Sequence, residues 1–157
     1  MLVGLPASGK STYAQEMVKH GYIWHSSDNI REEMALAPTG DKDNAVVFGI
    51  LHSRITRDLK AGKDCIYDAT NLSRKKRIAF LRSIEHIPCT KKCVMFIVPV
   101  YECKRRNALR ERTVPESVYD SMLKAFQPAY YFEGWNEIEM HIESELFDLR
   151  ATKGFSQ

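Results

Sequence analysis

Short apolar runs alternate with longer stretches in which apolar residues recur every three or four positions, the mark of strands alternating with helices. Leu2-Val3 ends a strand-like run. Tyr13, Ala14, Met17 and Val18 then form a helical stripe, and Gly21 stands where a helix C-cap is expected. Tyr22-Ile23-Trp24-His25 predicts a second strand. The N-cap formers Ser26-Ser27-Asp28-Asn29 precede a helix, Ile30-Arg31-Glu32-Glu33-Met34, whose early acids suit the helix dipole. Ala37-Pro38-Thr39-Gly40-Asp41 breaks the pattern and predicts an exposed loop. Over residues 44–61, Val47, Leu51, Ile55 and Leu59 fall four apart, giving a long amphipathic helix ended by Gly62.

Cys65-Ile66-Tyr67-Asp68 predicts a third strand, and Ser73 caps a helix over 74–85 with Ile78, Leu81 and Ile84 on its buried side. Cys93-Val94-Met95-Phe96-Ile97-Val98 is the continuous apolar run of a strand buried on both faces, closed by Pro99. A basic helix over 102–112 follows, then another from Val114-Pro115-Glu116 to near Phe126. Ile138, Met140 and Ile142 alternate with polar residues as a last, more exposed strand, and residues 151–157 are expected to fray. This order predicts an α/β fold with a parallel sheet, helices on both faces, and one domain spanning 1–157.

Composition narrows the class without changing it. The 157 residues are 44% hydrophobic and 27% charged, ordinary for a globular chain. No apolar run approaches the ~20 residues of a membrane span, and no basic segment with a cleavage site opens the chain. The expectation is a cytoplasmic protein without a membrane partner. Met1 falls inside the predicted first strand, so further residues are expected upstream. Cys65, Cys89, Cys93 and Cys103 have neither metal-site nor disulfide spacing and read as thiols in a reducing compartment. The five histidines have no metal spacing either. A net charge of +3 permits a polyanionic partner without requiring one, and oligomeric state is not legible.

The chemistry begins at Gly4-Leu5-Pro6-Ala7-Ser8-Gly9-Lys10-Ser11, which fits the G-x-x-x-x-G-K-[ST] phosphate-binding loop between a strand and a helix. Gly4 and Gly9 let the backbone, with Ala7 and Ser8, curl its N–H groups inward at a helix N-terminus; Thr12 follows on the first turn. Lys10 can reach β- and γ-phosphates, and the Ser11 hydroxyl can ligate Mg²⁺. The competing reading is an ordinary glycine turn, which the strand–loop–helix context disfavours.

In open α/β sheets ligands sit beyond the carboxyl ends of the strands. Asp28, three residues before Arg31, falls there, as does Asp68 with Thr70 and Asn71. Asp28 suits a general base for a hydroxyl acceptor, with Arg31 gripping an anionic group; the alternative is a helix cap beside a surface charge. Asp68 suits a carboxylate holding Mg²⁺ through water, an ion-pair partner for Arg31, or the start of a turn. In Lys104-Arg105-Arg106-Asn107-Ala108-Leu109-Arg110-Glu111-Arg112, Arg106 and Arg110 share a predicted helix face and could close over a nucleotide as a lid, or form a solvated surface. Arg74-Lys75-Lys76-Arg77 reads first as a solvated helix start and second as a nucleic-acid contact. Trp24, Phe126, Tyr130, Tyr131, Phe132 and Trp135 read mostly as core, with room for one or two of the later ones to stack on a base.

GLPASGKST, SSDNIREEM, YDATNLSRKKR and RRNALRERTVPESVYDSM, spread from Met1 to Met122, resemble in order and separation the motifs of the 5′-hydroxyl polynucleotide kinases of phage and bacterial nucleic-acid repair. The resemblance implies a kinase-type P-loop NTPase: a three-layer sandwich with a five-stranded, mostly parallel sheet and an arginine-rich helical lid over about 102–118. It implies ATP and Mg²⁺ as cofactors, bound by Lys10 and Ser11, and an acceptor that is the 5′-hydroxyl end of RNA or DNA. By the same resemblance Asp28 is the general base, Arg31 contacts the acceptor's 3′-phosphate, Asp68 supports the acceptor site, and Arg110 with Arg106 forms the lid. Ser27 departs from the pattern, since some members carry a basic residue there. Kinases of small molecules and non-catalytic nucleotide-binding domains share the first motif.

Overall fold

The computed structural model describes residues 1–37 and 41–143, so part of the expected loop at 37–41 and the tail at 151–157 lie outside the described residues. Five strands, β1 (Leu2–Val3), β2 (Ile23–Ser26), β3 (Cys65–Asp68), β4 (Lys92–Ile97) and β5 (Glu137–Ile142), form one sheet in the order β2-β3-β1-β4-β5. Every neighbouring pair is parallel. Leu2 lies opposite both Asp68 and Val94, so the shortest strand sits at the centre, flanked by β3 and by β4, the strand that reads most clearly as buried.

The pleat divides the core. Leu2, Ile66, Val94 and Phe96 pack with Ala14, Tyr13 and Met17 of helix α1 (Lys10–Val18) on one face. On the other face, Tyr67 and Ala69 pack against Val47, Leu51 and Ile55 of α3 (Asp41–Lys60) and Phe80 of α4 (Arg74–Ser83). Val3, Cys93 and Met95 meet Leu81 and Trp135 on that face. Period-two alternation thus buries β4 on both sides, giving three layers. The edge strand β5 is more exposed, with Met140 and Ile142 facing outward.

Helix α2 (Ser27–Glu33) follows β2 directly. Helices α5 (Val100–Asn107) and α6 (Glu116–Ala125) gather at the carboxyl end of the sheet around Leu5, Leu72, Cys103, Val114 and Tyr119. The expected basic helix over 102–112 is displaced. It begins earlier, at the cap Pro99, and ends at Asn107 because the buried Asn107 side chain ties back the chain beyond. Its Nδ2 donates to the Val114 carbonyl at 2.8 Å and its Oδ1 accepts from the Val114 N–H at 2.9 Å. Arg110 therefore lies past the helix, and the shared helix face expected for Arg106 and Arg110 does not form.

Three aromatics expected in the core are on the surface: Tyr130, Tyr131 and Phe132 are exposed around the 3₁₀ turn Tyr131–Glu133. Trp135 is buried as expected. The run at 74–77 also divides. Arg77 is wholly buried, with all five guanidinium donors satisfied: two bonds to Glu133 (2.8 and 2.7 Å) and three to the carbonyls of Asn71, Leu72 and Pro128. It clamps the segment after β3 to the aromatic turn. No helix among the described residues is long and apolar enough to cross a membrane.

Candidate active site

The β1–α1 connection folds as a phosphate cradle because its glycines permit it. Gly9, at φ 97°, takes the left-handed conformation before the first turn of α1, and Ala7 adopts a positive φ of 59°. At Gly4 the constraint is space: a Cβ there would stand 2.8 Å from Ser8 Oγ and 3.0 Å from the Phe96 carbonyl oxygen. The N–H of Gly4 donates to the Thr70 carbonyl at 3.1 Å, fastening the loop to the segment after β3. That segment turns through Asn71, at φ 48°, whose Nδ2 donates to the Leu2 carbonyl at 2.8 Å. Thr70 and Asn71 thus line the site while their polar groups support its floor.

Lys10 folds over the loop, donating from Nζ to the carbonyls of Leu5 (2.6 Å) and Gly4 (3.0 Å). Burial pushes its pKa below the usual lysine value, opposed by the negative charges of Asp68 and Asp28. Asp68, at the end of β3, is buried and accepts from the Trp24 indole at 3.0 Å and the Ser11 hydroxyl at 3.2 Å. Burial raises its pKa, while Lys10 and the two hydrogen bonds hold it down. No Asp68–Arg31 ion pair forms among the described residues, so that expected alternative is replaced by the Trp24 and Ser11 contacts. The Ser11 hydroxyl and Asp68 present hard oxygen donors beside a phosphate cradle, a set that fits Mg²⁺ bound jointly by protein, phosphate and water.

Asp28 does not cap α2. Ser26 does, its Oγ accepting from the N–H groups of Asp28 (3.2 Å) and Asn29 (3.4 Å). The Asp28 side chain is left 62% exposed, with Arg110 Nη2 at 4.0 Å. Arg31 is buried, donating to Asn44 Oδ1 and, at 3.4 Å, to the Ala37 carbonyl. Arg112 reaches from the loop beyond α5 to the same helix, pairing with Glu32 at 3.1 Å and donating to the Leu36 carbonyl at 2.6 Å. Arg106 instead pairs with Glu102 (2.6 Å) and Glu143. The hydrogen bond from Arg105 is the main cause that pulls the Glu102 pKa down to about 2, opposed by desolvation and reinforced by the bond from Arg106.

These groups converge. A cleft of about 830 Å³ is walled by Gly9, Lys10, Ser11, Asp28, Arg31 and Asp68, with Thr70, Asn71, Arg106 and Arg110 also lining it. A second cavity, of about 550 Å³, opens on the other side of the loop between Thr12, Tyr13, Arg106 and His141. Gly9, Thr12 and Arg106 border both. Trp24, Asn44 and Tyr119 were not anticipated. Tyr119 is fully buried, its hydroxyl 3.2 Å from the Pro6 carbonyl oxygen, which links α6 to the cradle. Tyr119 fell within the helix expected from Val114 to near Phe126 and Trp24 within the second strand, but no role at the site was read for either, nor for Asn44.

A parallel α/β sheet with this loop after its first strand defines a P-loop nucleotide-binding fold of the kinase type. The model of a family described as AAA domain matches residues 1–129, and the chain belongs to that family. The fold is also that of several solved kinases. A presumed kinase from Chloroflexus aurantiacus j-10-fl superposes with a TM-score of 0.69 at 15% identity, over 90% of this chain and 82% of the other. A gluconokinase from Sinorhizobium meliloti 1021 gives 0.63 at 16%, over 95% and 85%. A fungal RNA kinase gives 0.63 at 14%, over 96% of this chain but 41% of its own length. At these identities the likeness is one of fold.

Proposed function

We propose that the protein is an ATP- and Mg²⁺-dependent kinase that transfers the γ-phosphate to the 5′-hydroxyl of an RNA or DNA strand. The observation that carries this reading is the pairing, across one cleft, of a phosphate cradle with a carboxylate that its own helix does not use: Asp28 faces Lys10 and Ser11, while Ser26 does the capping. A mere nucleotide binder has no need of that carboxylate. The fungal RNA kinase, alike in fold, lends the acceptor class some support.

In this reading the loop amides and Lys10 hold the β- and γ-phosphates, and the nucleoside lies in the cavity beside Tyr13 and His141. Ser11, with Asp68 through water, would hold Mg²⁺, which would supply neutralising charge for the phosphate oxygens. Asp28 accepts the proton of the acceptor hydroxyl as its oxygen attacks phosphorus in line with the departing ADP. Arg110 and Arg106, in a lid over about 102–118, stabilise charge on the transferring group. Arg31, with Asp68, Thr70 and Asn71, supports the acceptor.

A second reading, a kinase of a small hydroxyl compound, is favoured by the prior engagement of Arg31 with Asn44 and Ala37, which leaves less of it for an acceptor phosphate. The gluconokinase of the same fold has such an acceptor in its name. Labelled ATP offered with 5′-hydroxyl oligoribonucleotides, oligodeoxynucleotides, nucleoside 3′-phosphates, gluconate and other small alcohols separates them. Label in the oligonucleotides is the expected result. Label only in small alcohols establishes the second reading, and ATP binding with no acceptor labelled removes the kinase assignment.

A further inference from the structure

We infer that the exposed rings of Tyr130 and Phe132, with Arg74 over them, form a stacking platform for bases of a single-stranded acceptor beyond its 5′ end. This inference rests on the nucleic-acid reading above.

Phe132 is 72% and Tyr130 48% exposed, although aromatic rings are ordinarily among the more buried side chains. Their planes lie within 9° of parallel with centroids 5.6 Å apart, and the Arg74 guanidinium sits 5.0 Å from one and 5.4 Å from the other. The turn carrying them is pinned from below. Glu133 accepts from Arg77 twice, from the Trp135 indole at 3.1 Å and from the Tyr130 N–H at 3.2 Å. Flat faces held open to solvent on a rigid turn are preorganised for a planar ligand.

The platform borders the cleft. Arg74 follows Ser73 and precedes Lys76, both of which line it. Gln127, between α6 and the aromatic turn, accepts from the Arg74 N–H at 2.9 Å and donates its N–H to the Leu72 carbonyl at 3.0 Å, and Leu72 also lines the cleft. Lys75 and Lys76 are exposed beside Arg74. Aromatic faces, a cation over the rings and lysines within reach of a backbone are the combination that binds unpaired nucleic acid, whose bases present π-faces a duplex conceals. The cations disfavour a second, net positive copy of this chain as the occupant.

The test measures kcat and KM separately for wild type, Phe132→Ala, Tyr130→Ala and Phe132→Tyr. The acceptors are a single-stranded oligonucleotide of roughly eight residues, a blunt duplex of the same sequence and a nucleoside 3′-phosphate. Loss of one base stack is expected to raise KM for the single strand about tenfold in each alanine variant. Its kcat and both constants for the nucleoside 3′-phosphate should stay unchanged, and Phe132→Tyr should behave as wild type. An unchanged KM for the single strand in an active enzyme overturns the platform alone. So does a variant that alters sedimentation instead of KM, which identifies a self-association surface. If wild type phosphorylates no oligonucleotide, the nucleic-acid reading falls and the platform with it.

Discussion

Two carboxylates of the cleft are held in opposite conditions, and the contrast supports the different roles proposed for them. Asp68 is buried between a hydroxyl and an indole, whereas Asp28 stands exposed across the cleft with Arg110 Nη2 4.0 Å away. A proton acceptor must be free to meet an incoming hydroxyl, so Asp28→Asn is expected to lower turnover by about 10²–10⁴-fold with ATP affinity unchanged by calorimetry. Wild-type turnover in that variant removes Asp28 from the mechanism. Gly4→Ala should act through the cradle: its Cβ would collide with Ser8 and with the Phe96 backbone, at roughly 1–3 kcal/mol in a denaturant titration and with weakened ATP binding. The cradle residues were legible in sequence because their geometry is local, a matter of glycine spacing before a helix. Asp28 was legible as a candidate base by its place beyond a strand end, three residues before Arg31, but its freedom from capping was not, because it stood among four adjacent N-cap formers. Which of them caps is decided by where β2 stops, and the strand's length follows from its pairing with β3, not from the tetrapeptide. Trp24 and Asn44 touch the site solely through the sheet and α3, so no local signal marked them.

Helix α4 shows what periodicity can and cannot reveal at the scale of an element. Its cap at Ser73 and its buried Leu81 follow from the sequence pattern, and its four leading cations looked alike. One of them, Arg77, falls on the inward face and meets Glu133, 56 residues away, a distance in sequence that no helical pattern spans. Removing one member of a buried pair strands the other, so Arg77→Met is expected to destabilise by about 3–5 kcal/mol in urea unfolding. The pH dependence carries a definite sign. Burial alone would raise the Glu133 pKa, but the bonds from Arg77 and Trp135 outweigh it and hold the group below its ordinary value of 4.5. A depressed folded pKa contributes stability above the unfolded value that disappears as pH falls through the folded one. In Arg77→Met the unpaired carboxyl favours protonation, so acid relieves the variant while it weakens the wild type. The gap between their urea midpoints is expected to be widest near neutrality and to narrow below pH 4.5; a constant gap would mean that Glu133 does not feel Arg77. The early end of α5 has a similar non-local origin, since Asn107 stops the helix by bonding Val114 across the following loop.

For the molecule as a whole, the sheet order β2-β3-β1-β4-β5 sets the cradle at the centre and leaves a cavity on either side of it. The alternation of strands and helices announced such a sheet, but it did not show that α2, α5, α6 and the loop after α5 meet at its carboxyl end. There Arg110 and Arg112 touch α2, Arg106 touches Glu143, and Tyr119 touches Pro6 of the cradle. A ligand seated in the cradle therefore bears on most of the elements above the sheet, and its binding energy becomes stability of the entire chain. At a hundred times its dissociation constant a ligand adds about 2.7 kcal/mol, which for a chain of this size raises Tm by roughly 5–10 °C. ATP with Mg²⁺ is expected to produce that shift in wild type and in Asp28→Asn, because the carboxylate proposed as proton acceptor is not part of the phosphate cradle. Lys10→Met should abolish it, since the ammonium that now rests on the Gly4 and Leu5 carbonyls is the cation positioned to turn toward a triphosphate. A full shift in Lys10→Met, or none in wild type, would place the nucleotide somewhere other than this loop. The two variants thus separate holding the nucleotide from using it, a distinction that turnover measurements alone merge into one loss.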